Sequence, residues 1–160
     1  MILSWTVVVV PRNDRKSLCK YGIEPKILIE EYLGNANETA KEVEVYCFNG
    51  IPKIIKKVHN DIPNKLSMYD ENLNNIDLKF LDKEFLVDIP LDEISKQTID
   101  LSINLSKDFK FVRCDWLIFD NKIYFNELTF TPNSGLTRFD KKWNEKLGSW
   151  INLEGSRHGF

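Results

Sequence analysis

Two carboxylates stand inside apolar, strand-like runs: Asp115 in FVRCDWLIF (111–119) and Glu127 in KIYFNELTF (122–130), joined through Asp120-Asn121. An ionised acid in such a run is costly unless it is paired or holds a cation. Side chains alternate along a strand, so Phe111, Arg113, Asp115 and Leu117 share one face, and Val112, Cys114, Trp116 and Ile118 the other. On the return run Ile123, Phe125, Glu127 and Thr129 separate from Tyr124, Asn126, Leu128 and Phe130. A loop of two or four residues sets Asp115 opposite Asn126. An odd loop, such as Asp120-Asn121-Lys122, sets Asp115 opposite Glu127 and Arg113 opposite Thr129. The odd register gathers the polar groups on one face and leaves Val112, Cys114, Leu128 and Phe130 on the other; a one-residue slip would scatter them. We therefore expect the odd register. Facing carboxylates repel, and a divalent cation removes that penalty. Oxygen donors without His or Cys point to Mg²⁺. Arg113, on the same face, offers a planar fork for a phosphate or a developing anion. The competing reading is a surface hairpin closed by an Arg–Glu ion pair, and the residues leave both open.

The elements that must position this hairpin read as α+β. The apolar run 1–10 is about half the length of a membrane span, and no basic residue precedes it. It reads as a short strand, followed by a polar connector over 11–22. A β-branched run predicts a strand over 26–30. Residues 42–48 alternate, with Val43, Val45 and Cys47 on one face and Glu42, Glu44, Tyr46 and Phe48 on the other. Asn49-Gly50 then signals a hairpin returning over 52–58. The Asn- and Asp-rich stretch 59–80, with Pro63, predicts a surface loop, and 81–89 a short strand. After Pro90, the spacing of Leu91, Ile94, Thr98, Leu101 and Leu105 predicts one long amphipathic helix over about 90–107. Asp92 and Glu93 in its first turn suit the helix dipole. A loop at 132–135 and a short helical tail through Trp143 and Trp150 follow.

Composition narrows the function classes. The chain has 160 residues, a net charge of -2 and 42% apolar residues, enough for one domain with a core. That charge gives no general attraction to nucleic acid or an anionic membrane surface. Three cysteines, Cys19, Cys47 and Cys114, lack metal-ligand spacing; Cys47 and Cys114 sit in apolar runs and read as buried thiols, and a reducing cytoplasm fits best. His59 and His158 are isolated and read as surface residues, and 154–160 as a flexible tail.

Five stretches, EPKILIEEYL (24–33), VYCFNGIPK (45–53), FVRCDW (111–116), IYFNELTFTPNSG (123–135) and LGSWI (147–151), together carry a family resemblance. In this order they resemble the TupA-like ATP-grasp family of bacterial surface-polysaccharide and teichuronopeptide gene clusters. The resemblance implies an ATP-grasp fold, here its C-terminal part, with a mainly antiparallel sheet. It implies ATP and Mg²⁺ as cofactors and a ligase that activates a carboxylate as an acyl phosphate. The substrate would be a sugar acid or an amino acid. Glu30, Glu31 and Leu33 would meet the adenine, Asp115 and Glu127 would hold Mg²⁺, and Arg113 would steady the transferred phosphate.

This chain departs from the family pattern in three ways. Thr129 stands two residues after Glu127, where most ATP-grasp ligases carry Asn, which makes Asn133 the nearest amide. Glu44 stands where the family often has Lys, so that Lys53, Lys56 or Lys57 would have to serve phosphate instead; Lys56-Lys57 reads more naturally as a solvated pair. Upstream, MILSWTVVVVPRNDRKSLCKYG shows neither a phosphate-binding Lys nor a Gly-rich loop in recognisable form. On this reading 1–22 is a remnant of an upstream subdomain and 23–153 a partial ATP-grasp domain. The alternatives are a glycosyltransferase that grips a nucleotide-sugar diphosphate, and a non-catalytic nucleotide-binding domain.

Overall fold

Residues 5–9, 27–34, 38–59, 64–78 and 85–151 are described in the computed structural model of this chain. The connector 11–22 with Cys19, and the tail 154–160 with His158, lie outside them. The chain divides into two units, Met1–Glu38 and Thr39–Phe160. In the first, β1 (Trp5–Val9) pairs antiparallel with β2 (Ile27–Glu31), Thr6 opposite Glu30. Both are the strands that their β-branched runs predict.

Among the described residues, the second unit carries a six-stranded sheet in the order β6-β5-β4-β3-β7-β8. Its strands are β3 (Lys41–Phe48), β4 (Ile51–Val58), β5 (Lys65–Asp70), β6 (Phe85–Leu86), β7 (Phe111–Phe119) and β8 (Lys122–Thr129). All neighbours are antiparallel except β5 and β6. Two helices follow in chain order: α1 (Glu93–Ser106) between β6 and β7, and α2 (Lys141–Ser149) after β8. With strands and helices segregated along the chain, the unit is α+β. Neither helix is long and apolar enough to cross a membrane.

β3 is a central strand and is buried on both faces from Val43 to Phe48. Val43, Val45 and Cys47 join Val112, Cys114, Trp116 and Ile118 of β7 in one core, on the side where Leu91, Ile94 and Ile99 pack. Tyr46 and Phe48 join Ile54, Leu66, Met68 and Trp143 in a second core on the opposite face. The turn between β3 and β4 has Asn49 and Gly50 both in the left-handed region, φ 50° and 77°, the geometry that Asn-Gly favours. A Cβ on Gly50 would lie 3.0 Å from the Lys107 Cα. The thiols of Cys47 and Cys114 are buried and free, as their apolar runs imply.

Two expectations fail for tertiary reasons. Within 59–80 lies β5, whose Leu66, Ser67, Met68 and Tyr69 are all buried between β4 and β6. Polar neighbours hide it in the sequence; its pairing partners make it a strand. The helix after Pro90 exists, but its most buried residues are Ser95, Thr98, Ser102 and Ser106, while Leu101 and Leu105 stay 40% and 38% exposed. Small side chains let the helix backbone come close to the sheet, and the Thr98 and Ser102 hydroxyls find partners there, whereas Ser95 Oγ is buried without one. Thr98 donates to the Ser95 carbonyl (2.6 Å), Ser102 donates to the Thr98 carbonyl (2.7 Å), and the Trp116 indole donates to Ser102 Oγ (2.8 Å). The leucines fall to the flank of the contact.

α1 starts where Asp92 accepts the Ser95 backbone N–H (2.9 Å), an N-cap bond, and Asp92 also pairs with Lys57 of β4. Lys57 is therefore buried and engaged, not solvated. Burial opposes ionisation of Asp92, but Lys57 and Ser95 outweigh it and lower its pKa to about 2. A lowered acid pKa stabilises the fold above the unfolded value and loses that contribution as pH falls through the folded one. Asp92→Ala should cost about 1 kcal/mol at pH 7, and the gap to wild type should narrow between about pH 4 and pH 2; urea unfolding at the two ends of that range measures it.

Candidate functional site

The hairpin β7–β8 turns on two residues, Asp120 and Asn121, both left-handed with φ 50° and 55°, which suits a tight two-residue turn. Near the turn, Phe119 faces Lys122 and Trp116 faces Phe125. A register shift follows between Asp115 and Trp116, and Asn126 is the extra residue, so that Asp115 faces Glu127 and Arg113 faces Thr129. The expected pairing of the two acids is present, but its cause is corrected. A β-bulge supplies the odd residue, where an odd loop had been expected. Bulges commonly re-aim side chains next to functional sites.

β3 extends the same row. Glu44 faces Asp115 on one side and Lys56 on the other, so one rung reads Lys56, Glu44, Asp115, Glu127 across four strands. The next rung on that face reads Ile54, Tyr46, Arg113, Thr129. Arg113 reaches back into the acids: its Nε and Nη2 donate to the two oxygens of Asp115 at 2.7 and 2.6 Å. The fork also lies 3.5 Å from Glu44 and 3.6 Å from Glu127, and its Cζ is 5.8 Å from the Tyr46 ring centre. Glu44 accepts from the Tyr46 hydroxyl at 2.6 Å and from Lys56 at 3.0 Å. Lys56 is thus half-buried and, like Lys57, paired.

These contacts set the protonation tendencies. Burial raises the Asp115 pKa, opposed by the Arg113 guanidinium. Burial also works against the charge on Arg113, but Asp115 and Glu44 hold it firmly protonated. Glu42, next along β3 on this face, is raised by burial and then by the charge of Glu44. Tyr46 is raised well above the usual phenol value by burial and by Glu44.

The donor chemistry can be tested against Mg²⁺. Thr129 Oγ1 lies 2.9 Å from Glu127 and 3.2 Å from Asp115, yet its single proton serves one of them at a time. Asp115 is 1% exposed, whereas Glu127 faces solvent. The two acids and the hydroxyl therefore form an all-oxygen edge open on the Glu127 side. Arg113 uses one lone pair on each Asp115 oxygen and leaves the others. This edge fits Mg²⁺, which binds one or two carboxylates and completes its shell with water and phosphate. Among the described residues no three His, Cys, Asp or Glu side chains form a preformed metal cage.

The chain matches the TupA-like ATPgrasp family model over residues 10–152. It belongs to that family. It is therefore an ATP-grasp-type module, a class that generally binds ATP with Mg²⁺. No curated protein matches it.

The residues expected from the TupA-like pattern fall in several places. Asp115, Glu127 and Arg113 come together as described. Asn133 sits in the turn Pro132–Gly135 and donates to Thr137 Oγ1 at 3.0 Å; Thr129 is the residue that touches both carboxylates. Lys53 pairs with Glu71 at 3.0 Å and lies over the Trp150 ring at 5.9 Å. Glu30 and Glu31 close β2 and Leu33 follows it, all in the first unit. His59, read as a surface residue, is half-buried, its Nε2 2.9 Å from Ser67 Oγ. The sequence reading missed Glu44 as a member of the site. The signal was available, because Glu44 also sits in the apolar strand 42–48, where the cost argument used for Asp115 applies equally.

Removing Arg113 leaves a rung of acids without its central cation. Arg113→Met should destabilise the fold by about 3–5 kcal/mol at pH 7. The remaining acids would then have raised pKa values, and a raised acid pKa makes the folded state more stable as pH falls. The deficit should therefore shrink between pH 7 and pH 5 in urea unfolding, and a deficit that grows with acid would contradict the geometry.

Proposed function

We propose that this chain is a Mg²⁺-ATP-binding, ligase-type module that activates a carboxylate as an acyl phosphate in bacterial cell-surface polysaccharide or teichuronopeptide biosynthesis. One observation carries the reading: Asp115 and Glu127 face each other in register, with Arg113 on the same face. A bound Mg²⁺ would neutralise phosphate oxygens and orient the terminal phosphoryl group. Asp115 and Glu127 would hold it through their free oxygen lone pairs, with the Thr129 hydroxyl beside them.

The substrate carboxylate attacks the terminal phosphorus, its bond to the bridging oxygen breaks, and ADP leaves with that electron pair. An amine or another nucleophile then displaces phosphate from the acyl carbon. Arg113 presents a permanently charged fork to the anion that develops in both steps, and such fixed donors act without reorganising. Asp115 and Glu44 keep that fork from swinging into solvent. Glu30, Glu31 and Leu33 are proposed for the adenine, Lys53 for the phosphates and Asn133 for the metal, on the family pattern alone.

Calorimetric titration with ATP, with and without Mg²⁺, tests the reading. Binding should require Mg²⁺ and be lost in Asp115→Ala and Glu127→Ala. Binding of a UDP-sugar in the absence of ATP binding would replace it with the glycosyltransferase reading.

A further inference from the structure

The face that carries the acids continues into an apolar hollow that the chemistry above does not use. Its floor is the next part of the same sheet face: Tyr46, Phe48, Ile54 and Phe111. Phe139 and Leu147 of the segment around α2 line its other side, and the half-open hollow has a volume of about 210 Å³. An apolar cavity of roughly 150 Å³ already admits benzene. This one therefore has room for a single aromatic ring or a branched aliphatic group.

Two features tie the hollow to the charged rungs. Tyr46 belongs to both: its ring lines the cavity, lies under Arg113 and sends its hydroxyl to Glu44. Phe48 faces Phe111 one rung beyond Tyr46 and Arg113. Two residues of strand span about 7 Å. An anion held at the Arg113 fork thus sits within one side-chain length of the cavity floor. At the other wall Pro132 and Gly135 line the hollow. Asn133, Ser134 and Gly135 take three successive left-handed conformations there, φ 50°, 56° and 72°. Strain of this kind in non-glycine residues clusters at ligand clamps.

The walls discriminate between substrate classes. Of the two side-chain hydroxyls on the lining, Tyr46 gives its proton to Glu44 and Thr137 accepts from Asn133, which leaves little beyond the Thr137 O–H to meet a ligand. The several hydroxyls of a sugar acid would lose water here and find few partners, a strong basis for rejection. A carboxylate next to an apolar side chain would satisfy both halves.

We infer that this hollow receives the side chain of the carboxylate substrate, and that the substrate is an amino acid with an aromatic or branched aliphatic side chain instead of a sugar acid. The inference rests on the ligase reading for the role of Arg113 and goes beyond it in naming the substrate class. The probes are L-phenylalanine, D-glucuronate and benzene, titrated into the full chain while amide shifts of Gly135, Thr137 and Phe139 are followed by NMR. Phenylalanine should saturate these shifts and glucuronate should not. Leu147→Trp fills the cavity from α2, and Thr137→Phe fills it from the half-exposed rim, where folding is less at risk. Each should weaken phenylalanine at least tenfold, with cooperative unfolding checked by circular dichroism. Arg113→Lys should weaken phenylalanine and leave benzene unaffected, because only the acid uses the fork. Glucuronate binding as tightly as phenylalanine overturns the inference. So does phenylalanine binding that survives both filled variants, or benzene binding while phenylalanine does not. Mg²⁺-ATP binding is measured separately on the unmodified chain; phenylalanine binding without it supports the pocket and counts against the ligase reading alone.

Discussion

Three carboxylates stand side by side on one rung of the sheet, and their mutual repulsion is the constraint that the rest of this unit answers. Two unit charges about 4 Å apart repel by about 4 kcal/mol at an effective dielectric of about 20. Glu44 and Asp115 are both nearly excluded from water, so solvent gives them little relief. Arg113 relieves them by leaning from its own rung into theirs, two of its N–H groups on Asp115 and the rest of the fork between Glu44 and Glu127. Lys56 closes the row at the far end. Three acids against two cations leave one negative charge, turned toward the exposed Glu127 edge. That residual charge is what a divalent cation bearing phosphate would meet.

The two faces of the sheet solve different problems. Under α1, close approach wins: serines and a threonine let the helix sit down on β3, β4 and β7, and the Thr98 and Ser102 hydroxyls find backbone or indole partners within the layer. On the opposite face the strands carry large aromatic side chains at one end and charges at the other, graded rung by rung from Phe48 and Phe111, through Tyr46 and Arg113, to the acids. α2 covers the apolar end, anchored by the Trp143 indole on the Asp77 carbonyl and by Asn49 on the Trp150 carbonyl. The charged end remains open along β8. A face that changes from apolar to ionic over two rungs can hold an amphipathic ligand in one orientation.

Much of this was legible in the amino-acid order, and the exceptions share a cause. The strands β2, β3, β4, β7 and β8 announce themselves by β-branched runs, alternation and the Asn-Gly and Asp-Asn turns. The facing of Asp115 and Glu127 follows from polar segregation alone, because a slip would scatter charges into the core. The bulge at Asn126 did not show: no glycine marks it, and it costs one unpaired residue that only the completed hairpin can accommodate. β5 did not show because its burial depends on neighbours distant in the chain. The seating of α1 was misjudged because periodicity ranks leucine above serine, whereas contact with a flat sheet rewards small volume.

The order of residues alone singled out the groups at the centre of the candidate site. Asp115 is named by the cost of burying charge, Glu127 and Arg113 by the register that sets them on its face, and the motifs around them mark the TupA-like family. Tertiary structure decided how those charges are balanced and what lies beside them. It made Glu44 a third acid of the rung, since a cross-strand neighbour is invisible until strands pair, and it turned Lys56 from a solvated residue into a half-buried counter-ion. It also opened the apolar hollow next to Arg113, because a cavity belongs to the gap between a sheet face and the segment folded over it, and no local stretch of sequence encodes that gap.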